Sequence, residues 1–121
     1  MRVLLDTNFL IDAVKFKIDL KEIDELIGRN ELIMLSSVER ELEKISKGGS
    51  KAGRFAKVAL NLMKEQKMKI LKSEIRPDNA MLELADEKIL VATNDIELRR
   101  RLKTLGRKTI YLKSKKHLAI G

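Results

Sequence analysis

Short apolar runs alternate along this chain with segments of helical periodicity, and this alternation limits the possible folds more than any other feature. Five runs have the length and aliphatic character of buried strands, at residues 3–5, 31–35, 68–71, 89–93 and 109–112. Strands that alternate with helices predict a parallel sheet covered on both faces. The expected fold class is therefore α/β, a three-layer α/β/α sandwich around a central parallel sheet of about five strands.

The segments between these runs carry helical signals, and several local predictions follow from them. Thr7 or Asn8 is placed to cap the first helix, and Ser36 with Glu39 has the spacing of a capping box. Two later helices are expected to turn apolar stripes towards the core. The helix after Ser50 contributes Phe55, Val58, Ala59, Leu62 and Met63, and the last helix contributes Leu98, Leu102 and Leu105.

Length and residue content restrict the kinds of site that this chain can form. Its 121 residues are expected to fold as a single domain, 1–121, with a basic C-terminal segment, 113–121. The chain has no Cys and one His, which excludes disulfides, thiolate zinc sites and sites with several His ligands. It shows neither a signal peptide nor a run of about 18 apolar residues. We therefore expect a cytoplasmic protein with no membrane partner.

Positive charge is concentrated at the end of the chain. The net charge is +8, yet residues 1–98 carry 17 basic and 18 acidic side chains. No acidic residue follows Glu97, whereas nine basic residues do: Arg99, Arg100, Arg101, Lys103, Arg107, Lys108, Lys113, Lys115 and Lys116. This asymmetry predicts a polyanionic partner, with a solvated helix face and a loose tail as the alternative.

Carboxylates follow four of the predicted strands. Asp6 comes directly after the first run, and Asp95 comes just after the fourth. Asp78 begins the helix after the third run, and Glu41 lies about one turn into the helix after the second. The carboxyl ends of parallel strands meet at one edge of a sheet, where α/β proteins bind their ligands. We therefore expect these side chains to gather at that edge.

Each of these residues, taken singly, also has an ordinary explanation as a helix cap or a solvated side chain. Glu39 and Glu43 fit the periodicity of their helix as well as Glu41 does. Taken together, however, four convergent carboxylates would repel one another unless a cation offset their charge. Mg²⁺ or Mn²⁺ prefers such oxygen ligands, and either ion can activate water for attack on a phosphodiester. An acidic edge beside a basic segment is the arrangement that a nuclease needs, and it stands at this point beside the ordinary explanations.

Four stretches, in chain order, resemble the motifs of the PIN-domain nucleases: "VLLDTNFLID", "SSVERELEKI", "RPDNAMLELA" and "ILVATNDIELRRRL". In this resemblance the acidic, catalytic and metal-binding positions are Asp6, Glu41, Asp78 and Asp95. The supporting polar positions are Asn8, Asn79, Thr93 and Asn94. The second motif is the one that selects Glu41 over its two neighbours.

The resemblance implies a PIN-like fold and an endoribonuclease that uses Mg²⁺ or Mn²⁺ to hydrolyse RNA. One position departs from the pattern of many relatives, which have two consecutive Asp residues in the third motif. Asn79 occupies the second of these positions here. Because Asn brings no charge, the departure implies that a second metal binds weakly or only together with substrate.

The sequence is compatible with two branches of the family and with a third alternative, a protein of this fold that has no catalytic activity. "VATNDIELRRRL" followed by "TIYLKSKKHL" looks more like the branch that processes rRNA, which we favour. The alternatives are a VapC-type toxin ribonuclease of a toxin–antitoxin pair and an inactive PIN scaffold that only binds RNA. The implied partners are RNA together with a ribosome-assembly protein or an antitoxin, and a homodimer is compatible with the apolar content of 44%.

Basic side chains beside the acidic edge are the predicted contacts to RNA. They are Arg99, Arg100, Lys103, Lys113, Lys115 and Lys116. The first three are expected to face solvent on the last helix, and the other three follow the fifth strand. Aromatic residues make up only 3% of the chain, so we expect backbone charge rather than stacking on aromatic rings to dominate binding. The stretch "KGGSKAGR" lacks the strand and spacing of a phosphate loop and is predicted to be a surface linker or a basic contact.

Overall fold

A six-stranded sheet runs through the middle of the molecule, which the computed structural model describes over residues 1–121. The strands are β1 (Arg2–Leu5), β2 (Glu31–Leu35), β3 (Lys69–Leu71), β4 (Ile89–Ala92), β5 (Thr109–Lys113) and β6 (His117–Ile120). The helices are α1 (Thr7–Lys15), α2 (Glu22–Ile27), α3 (Ser36–Ser46), α4 (Lys51–Glu65), α5 (Pro77–Leu84) and α6 (Ile96–Thr104). The strand order is β3-β2-β1-β4-β5-β6. The first five strands in this order are parallel, and β6 is antiparallel to β5.

The two central strands are apolar and almost fully buried. Val3, Leu4 and Leu5 of β1 are at most 1% exposed, and Val91 of β4 is completely buried. Burial of each such side chain contributes about 1.5–3 kcal/mol, so these strands anchor a continuous core of 24 residues. In the register of this pair, Leu5 lies opposite Ala92. Both strands therefore end at the same level.

Helices cover both faces of the sheet. Connections between parallel strands are right-handed. The connections that lead from β1 to β2 to β3 therefore lie on one face, and those that lead from β3 to β4 to β5 lie on the other. The packing agrees with this rule, because α1, α3 and α4 contact one another whereas α5 contacts α6. The α/β/α sandwich expected from the sequence is confirmed.

The five predicted strands are present with bounds that differ by one residue at most. The sixth strand was not predicted. Residues 117–120 of the basic C-terminal segment form β6, in which His117 pairs with Lys113 and Ile120 pairs with Ile110. The alternative of a loose tail is wrong, because backbone pairing to β5 and burial of Leu118 hold this segment in the sheet.

Two of the predicted helix caps are wrong. The cap of α1 is Asp6, rather than Thr7 or Asn8, because the carboxylate of Asp6 accepts a hydrogen bond from the Thr7 amide. No side chain caps α3. The Ser36 hydroxyl instead accepts from the Ser73 amide at 2.8 Å and donates to the Ser73 carbonyl. A tertiary contact therefore replaces the predicted capping box. The predicted cap at Ser50 is confirmed.

The predicted apolar stripes are wider than the buried surfaces. Val58 and Leu62 of α4 are 45% and 39% exposed, and Leu105, which follows α6, is 55% exposed. Ala59 and Met63 of α4 are buried as expected, and so are the first two leucines of α6. The neighbouring helices are too few to cover the rest of each stripe. None of the helices combines the length and apolar character needed to cross a bilayer.

The glycine-rich segment between α3 and α4 is a tight corner rather than an open linker. α3 ends at Ser46, and Ser50 caps α4 by accepting from the Gly53 amide. A Cβ at Gly53 would lie 2.4 Å from the Gly48 carbonyl oxygen and 3.0 Å from that of Ile45. Only glycine permits this approach of the two helix ends.

Gly53→Ala is therefore expected to lower the free energy of unfolding by about 1–3 kcal/mol, although alanine favours helix over glycine. Urea denaturation measures this change. Gly49→Ala is the matched control, because nothing lies within 4 Å of its Cβ position. Its free energy of unfolding should stay within about 0.5 kcal/mol of the parent. Equal stability of the two variants would contradict the close approach at Gly53.

Candidate functional site

An open cleft of about 350 Å³ lies at the carboxyl edge of the sheet, the edge where the parallel strands end. Its lining residues are Asp6, Thr7, Asn8, Ile11, Glu41, Ile45, Arg76, Pro77, Asp78 and Asp95. We call it the acidic cleft. All four carboxylates that the sequence singled out line it, and they come from the segments that follow β1, β2, β3 and β4.

Asp6 lies at the base of the acidic cleft because β1 ends there. The residue is 8% exposed, and its amide donates to the Ala92 carbonyl at the end of β4. Its carboxylate accepts from the Thr7 amide at 2.9 Å and from the Thr93 hydroxyl at 2.7 Å. These bonds hold the carboxylate in one orientation.

Thr93 joins the two central strand ends. The residue is completely buried, and its hydroxyl donates to Asp6 and accepts from the Asp95 amide at 3.1 Å. A single hydroxyl thus spans the gap between Asp6 and the backbone of Asp95. A second, longer contact of 3.3 Å reaches the side-chain oxygen of Asn8.

Two asparagines extend this network towards α1 and β5. The side-chain oxygen of Asn8 accepts from the Asn94 amide at 3.1 Å. The Asn94 side chain donates to Asp12 at 2.9 Å and accepts from the Leu112 amide at 2.7 Å. Asn94 therefore ties α1 to β5 and fixes the loop that carries Asp95. These bonds connect Asn8, Thr93 and Asn94 to the strand ends that carry Asp6 and Asp95.

Asp95 caps α6. Its carboxylate oxygen Oδ1 accepts from the Glu97 and Leu98 amides at 2.9 and 3.2 Å, while the residue itself is exposed. Glu41 lies on the exposed side of α3 and shares the cleft with Ile45, one turn further on. Glu39 and Glu43 line a separate cavity beside α4. Of these three acids, Glu41 is the one that lines the acidic cleft.

Asp78 reaches the acidic cleft from the first turn of α5. The loop before α5 is held by the contacts between Ser36 and Ser73 and by Arg40, which donates to the Ser73 carbonyl at 2.9 Å. The carboxylate of Asp78 accepts a hydrogen bond from the Asn79 amide at 2.9 Å. Asn79 is exposed and does not line the cleft, so only its backbone amide contacts one of the four acids.

The electrostatics of the acidic cleft disfavour a charged Asp6. Burial raises the pKa of Asp6 above its ordinary value of 3.8, and the charges of Glu41 and Asp95 raise it further. The hydrogen bonds from Thr93 and Thr7 lower this pKa but do not cancel the rise. Perturbed carboxylates in clefts are typical of functional sites.

The donor atoms of the acidic cleft fit a hard divalent cation. They are carboxylate and amide oxygens, which Mg²⁺ and Mn²⁺ prefer. The hydroxyl of Thr7, buried beside Asp6, has no hydrogen-bond partner within the protein. No three acidic side chains lie close enough to form a ready-made metal group. Mg²⁺ usually retains several waters and needs few direct protein ligands, so donors spread around an open cleft remain suitable.

The basic residues proposed to bind RNA have different environments. Lys103 is exposed on α6, and Lys113 ends β5 at the carboxyl edge. Lys115 and Lys116 lie in the turn between β5 and β6, and the ammonium of Lys115 lies 5.7 Å from the ring centroid of Phe16. These four lysines are free to contact a polyanion.

The two arginines of this set are not both free. Arg100 forms an ion pair with Glu97. Arg99 was expected to face solvent, and this is wrong, because it is half-buried and stacks over Tyr111. The stack forms because β5 brings the ring beneath the second turn of α6.

Two residues of the site were missed in the sequence. Arg76 is the only basic residue that lines the acidic cleft, and its Nε lies 3.6 Å from Asp78. Its position directly before the Pro-Asp of the third motif was the available signal. Asp12 is the partner of Asn94, and its spacing of four from Asn8 on a helix would have placed both on one face.

The raised pKa of Asp6 predicts how stability depends on pH in protein kept free of metal by EDTA. Between the unfolded and folded pKa values, the folded state binds more protons, so stability falls as pH rises through this interval. Asp6→Asn removes the ionisation. The free energy of unfolding of this variant, relative to that of the parent, should therefore be lowest below pH 3.8 and should increase as pH rises.

Urea denaturation of the variant and the parent, at pH values below and above 3.8, measures the difference between their free energies of unfolding. Glu87→Gln is the control, because Glu87 is exposed and does not line the acidic cleft. Its free energy of unfolding should follow that of the parent. A difference between Asp6→Asn and the parent that does not change with pH would contradict the raised pKa.

The chain is similar to known proteins over nearly its whole length. A family model described as a PIN-like domain matches residues 3–115. The chain is 32% identical to Ribonuclease VapC4 of Methanocaldococcus jannaschii over 98% of this chain and 95% of that protein.

Solved structures with similar folds include two PIN or VapBC proteins and one of unknown function. The PIN domain endonuclease Utp24 superposes with a TM-score of 0.79 at 24% identity, over 98% of this chain and 90% of that one. A domain of a functionally unknown protein from Methanocaldococcus jannaschii gives 0.67 at 21% identity, over 93% and 91%. VapBC-1 from nontypeable Haemophilus influenzae gives 0.52 at 16%, over 86% and 94%. The match of the family model over nearly the whole chain shows that this protein belongs to the PIN-like domain family.

Proposed function

We propose that this protein is a metal-dependent endoribonuclease whose active site is the acidic cleft. The observation that carries the proposal is the arrival of four carboxylates, from the ends of four different strands, in one cleft. A purely structural role would not require an acidic residue after each of these strands. The relative named as a ribonuclease, which matches nearly the whole chain, supports RNA as the substrate.

Asp6, Glu41, Asp78 and Asp95 would hold Mg²⁺ or Mn²⁺, some of them through water, because no three of them are close enough to bind one ion together. Such a cation, when bound, supplies an activated water and neutralises the charge that develops on the phosphate. Thr93 keeps the Asp6 carboxylate oriented, and its bond to the Asp95 amide keeps the two strand ends together. These hydrogen bonds thus hold the carboxylates in position before a cation binds.

The remaining residues of the site would hold the substrate. Arg76 can leave its contact with Asp78 for a phosphate oxygen, because the pair is highly exposed on the arginine side and exposed pairs of this kind contribute little to stability. Lys103, Lys113 and Lys115 would bind the flanking backbone by charge. Asn79, which is exposed outside the cleft, supplies no ligand, so we infer that one cation is bound tightly.

We propose that this ribonuclease processes rRNA, as the resemblance of its fourth motif and of the following basic strand to that branch implies. The endonuclease fold also superposes more closely than the VapBC fold, with TM-scores of 0.79 and 0.52. The second candidate is a toxin ribonuclease, which the 32% identity to a VapC protein favours. An antitoxin partner would accompany the second function, and a ribosome-assembly protein would accompany the first.

Metal binding is expected to stabilise the protein. A cation that binds only the folded state raises the free energy of unfolding by about 2.7 kcal/mol at a concentration of 100 times its Kd. Mn²⁺ or Mg²⁺ should therefore raise the melting temperature, and EDTA should reverse the effect. Asp95→Asn should abolish this response without unfolding α6, because asparagine caps helices as well as aspartate does.

The same samples, incubated with structured RNA, test catalysis. The parent and Glu87→Gln should cleave internally in Mn²⁺ or Mg²⁺, whereas EDTA and Asp95→Asn should reduce cleavage below detection. Cleavage by Asp95→Asn at the rate of the parent would refute the acidic cleft as the active site. Growth arrest of a host cell by the parent, but not by Asp95→Asn, together with cleavage of RNAs other than pre-rRNA would favour the toxin candidate.

A further inference from the structure

Arg99 is held in place by neutral groups. Its guanidinium carbon lies 3.5 Å from the ring centroid of Tyr111, and its Nε donates to the Thr109 hydroxyl at 3.2 Å. Thr109 in turn donates to the Gly121 carbonyl. A cation so close to the ring centroid lies over the ring face, an arrangement that aromatic rings attract. The side chain is therefore ordered before any ligand arrives.

The charge of Arg99 is not neutralised by this arrangement. Arg99 takes part in none of the four ion pairs of the protein, whereas its neighbour Arg100 pairs with Glu97. No acidic residue follows Glu97, and eight other basic residues do. An aliphatic side chain at position 99 would pack on Tyr111 without adding charge to this region. Packing alone therefore does not account for arginine here.

Arg99 is only half-buried, and its contacts leave the outer side of the guanidinium for a ligand. One face lies on Tyr111 and Nε is occupied, which leaves the second face and the two terminal nitrogens. The residues beside Tyr111 in this segment are small: Ala119 of β6, its partner in the register, and Gly121, which follows β6. The helix that packs on β6 is α2, and it covers the opposite face, where Leu118 is buried.

The position of the stack relative to the acidic cleft is also suitable. The Arg99 amide bonds to the Asp95 carbonyl, so the two residues are one turn of α6, or about 6 Å, apart along the helix axis. Lys113 lies on the same face of β5 as Tyr111, two residues closer to the carboxyl edge. An RNA strand with one phosphate in the acidic cleft would therefore have the charge of Lys113 and the planar guanidinium of Arg99 beside it.

We propose that Arg99, stacked on Tyr111, is a platform on which one base of a single-stranded RNA stacks beside the acidic cleft. The base lies on the free face of the guanidinium, as bases do on arginine planes in RNA-binding proteins, and the terminal nitrogens bond to the base edge or to its phosphate. The inference rests on the proposed function only in taking RNA as the ligand. It gives the protein a contact with bases in addition to its contacts with backbone charge.

Binding in EDTA tests the platform without cleavage. The probes are a single-stranded RNA of about 12 nucleotides and the same RNA with abasic central positions. The parent should bind the first more tightly by roughly 5- to 150-fold, the range that stacking of one base contributes. Arg99→Lys retains the charge and loses the plane. It should bind both RNAs with nearly equal affinity and keep the salt dependence of the parent.

Arg101→Ala is the matched control, because Arg101 is exposed on the other side of α6 and forms no ion pair. This variant should bind both RNAs more weakly, by the same factor, and should still prefer the RNA that has its bases. Tyr111→Leu should lose the preference although Arg99 remains. Circular dichroism identifies any variant that fails to fold, and Arg99→Lys is the decisive variant because it keeps the charge and the length of the side chain.

The inference is overturned if the parent does not distinguish the two RNAs, or if folded Arg99→Lys keeps the preference. Cleavage by the parent in Mn²⁺ is measured separately. Cleavage without a base preference would refute the platform and leave the proposed nuclease intact. A base preference that depends on Arg99, found without cleavage, would support the platform and refute the nuclease. Binding of single-stranded DNA with the same affinity as single-stranded RNA would show that the platform stacks bases of either nucleic acid.

Discussion

The parallel pairing of β1 with β4 is the constraint on which the rest of the structure depends. Because Leu5 and Ala92 are paired, the residues that follow them enter the same small volume. The completely buried Thr93 then bonds to both Asp6 and the Asp95 amide. The acidic cleft forms around this junction, and the helices that carry Glu41 and Asp78 pack on opposite faces of the same sheet.

The buried carboxylate at this junction lowers the stability of the folded protein. Asp6 is buried with two like charges nearby, and only two hydrogen bonds offset the loss of water. A neutral residue would fit the fold at lower cost. Stability is often reduced in this way at functional sites, where a charge is kept for a ligand. The fold tolerates the cost because the aliphatic side chains of β1 and β4 surround the junction.

Sheet topology places a basic region beside the acidic cleft. The four acids of the cleft follow β1 to β4, whereas the basic residues proposed to bind RNA belong to α6, to β5 and to the turn before β6. Since β5 pairs with β4 in parallel, it brings Lys113 to the edge that already holds Asp95. The antiparallel return of β6 then keeps the basic turn at that edge. A polyanion can therefore contact the basic turn and the acidic cleft together.

The sequence by itself determined the helices and the first five strands, and it predicted the four acids that line the cleft. Strand bounds were predictable because each apolar run stops at a polar residue, and Asp6 and Asp95 were identifiable because they follow buried strands. Tertiary structure decided what depends on neighbours distant in sequence. Ser36 was expected to cap its helix, but Ser73 occupies its hydroxyl. β6 could not be predicted from the sequence, because a strand of four residues after a lysine-rich turn becomes stable only when β5 supplies its hydrogen bonds. Arg99 was expected in solvent, since only the register of β5 under α6 places an aromatic ring beneath it.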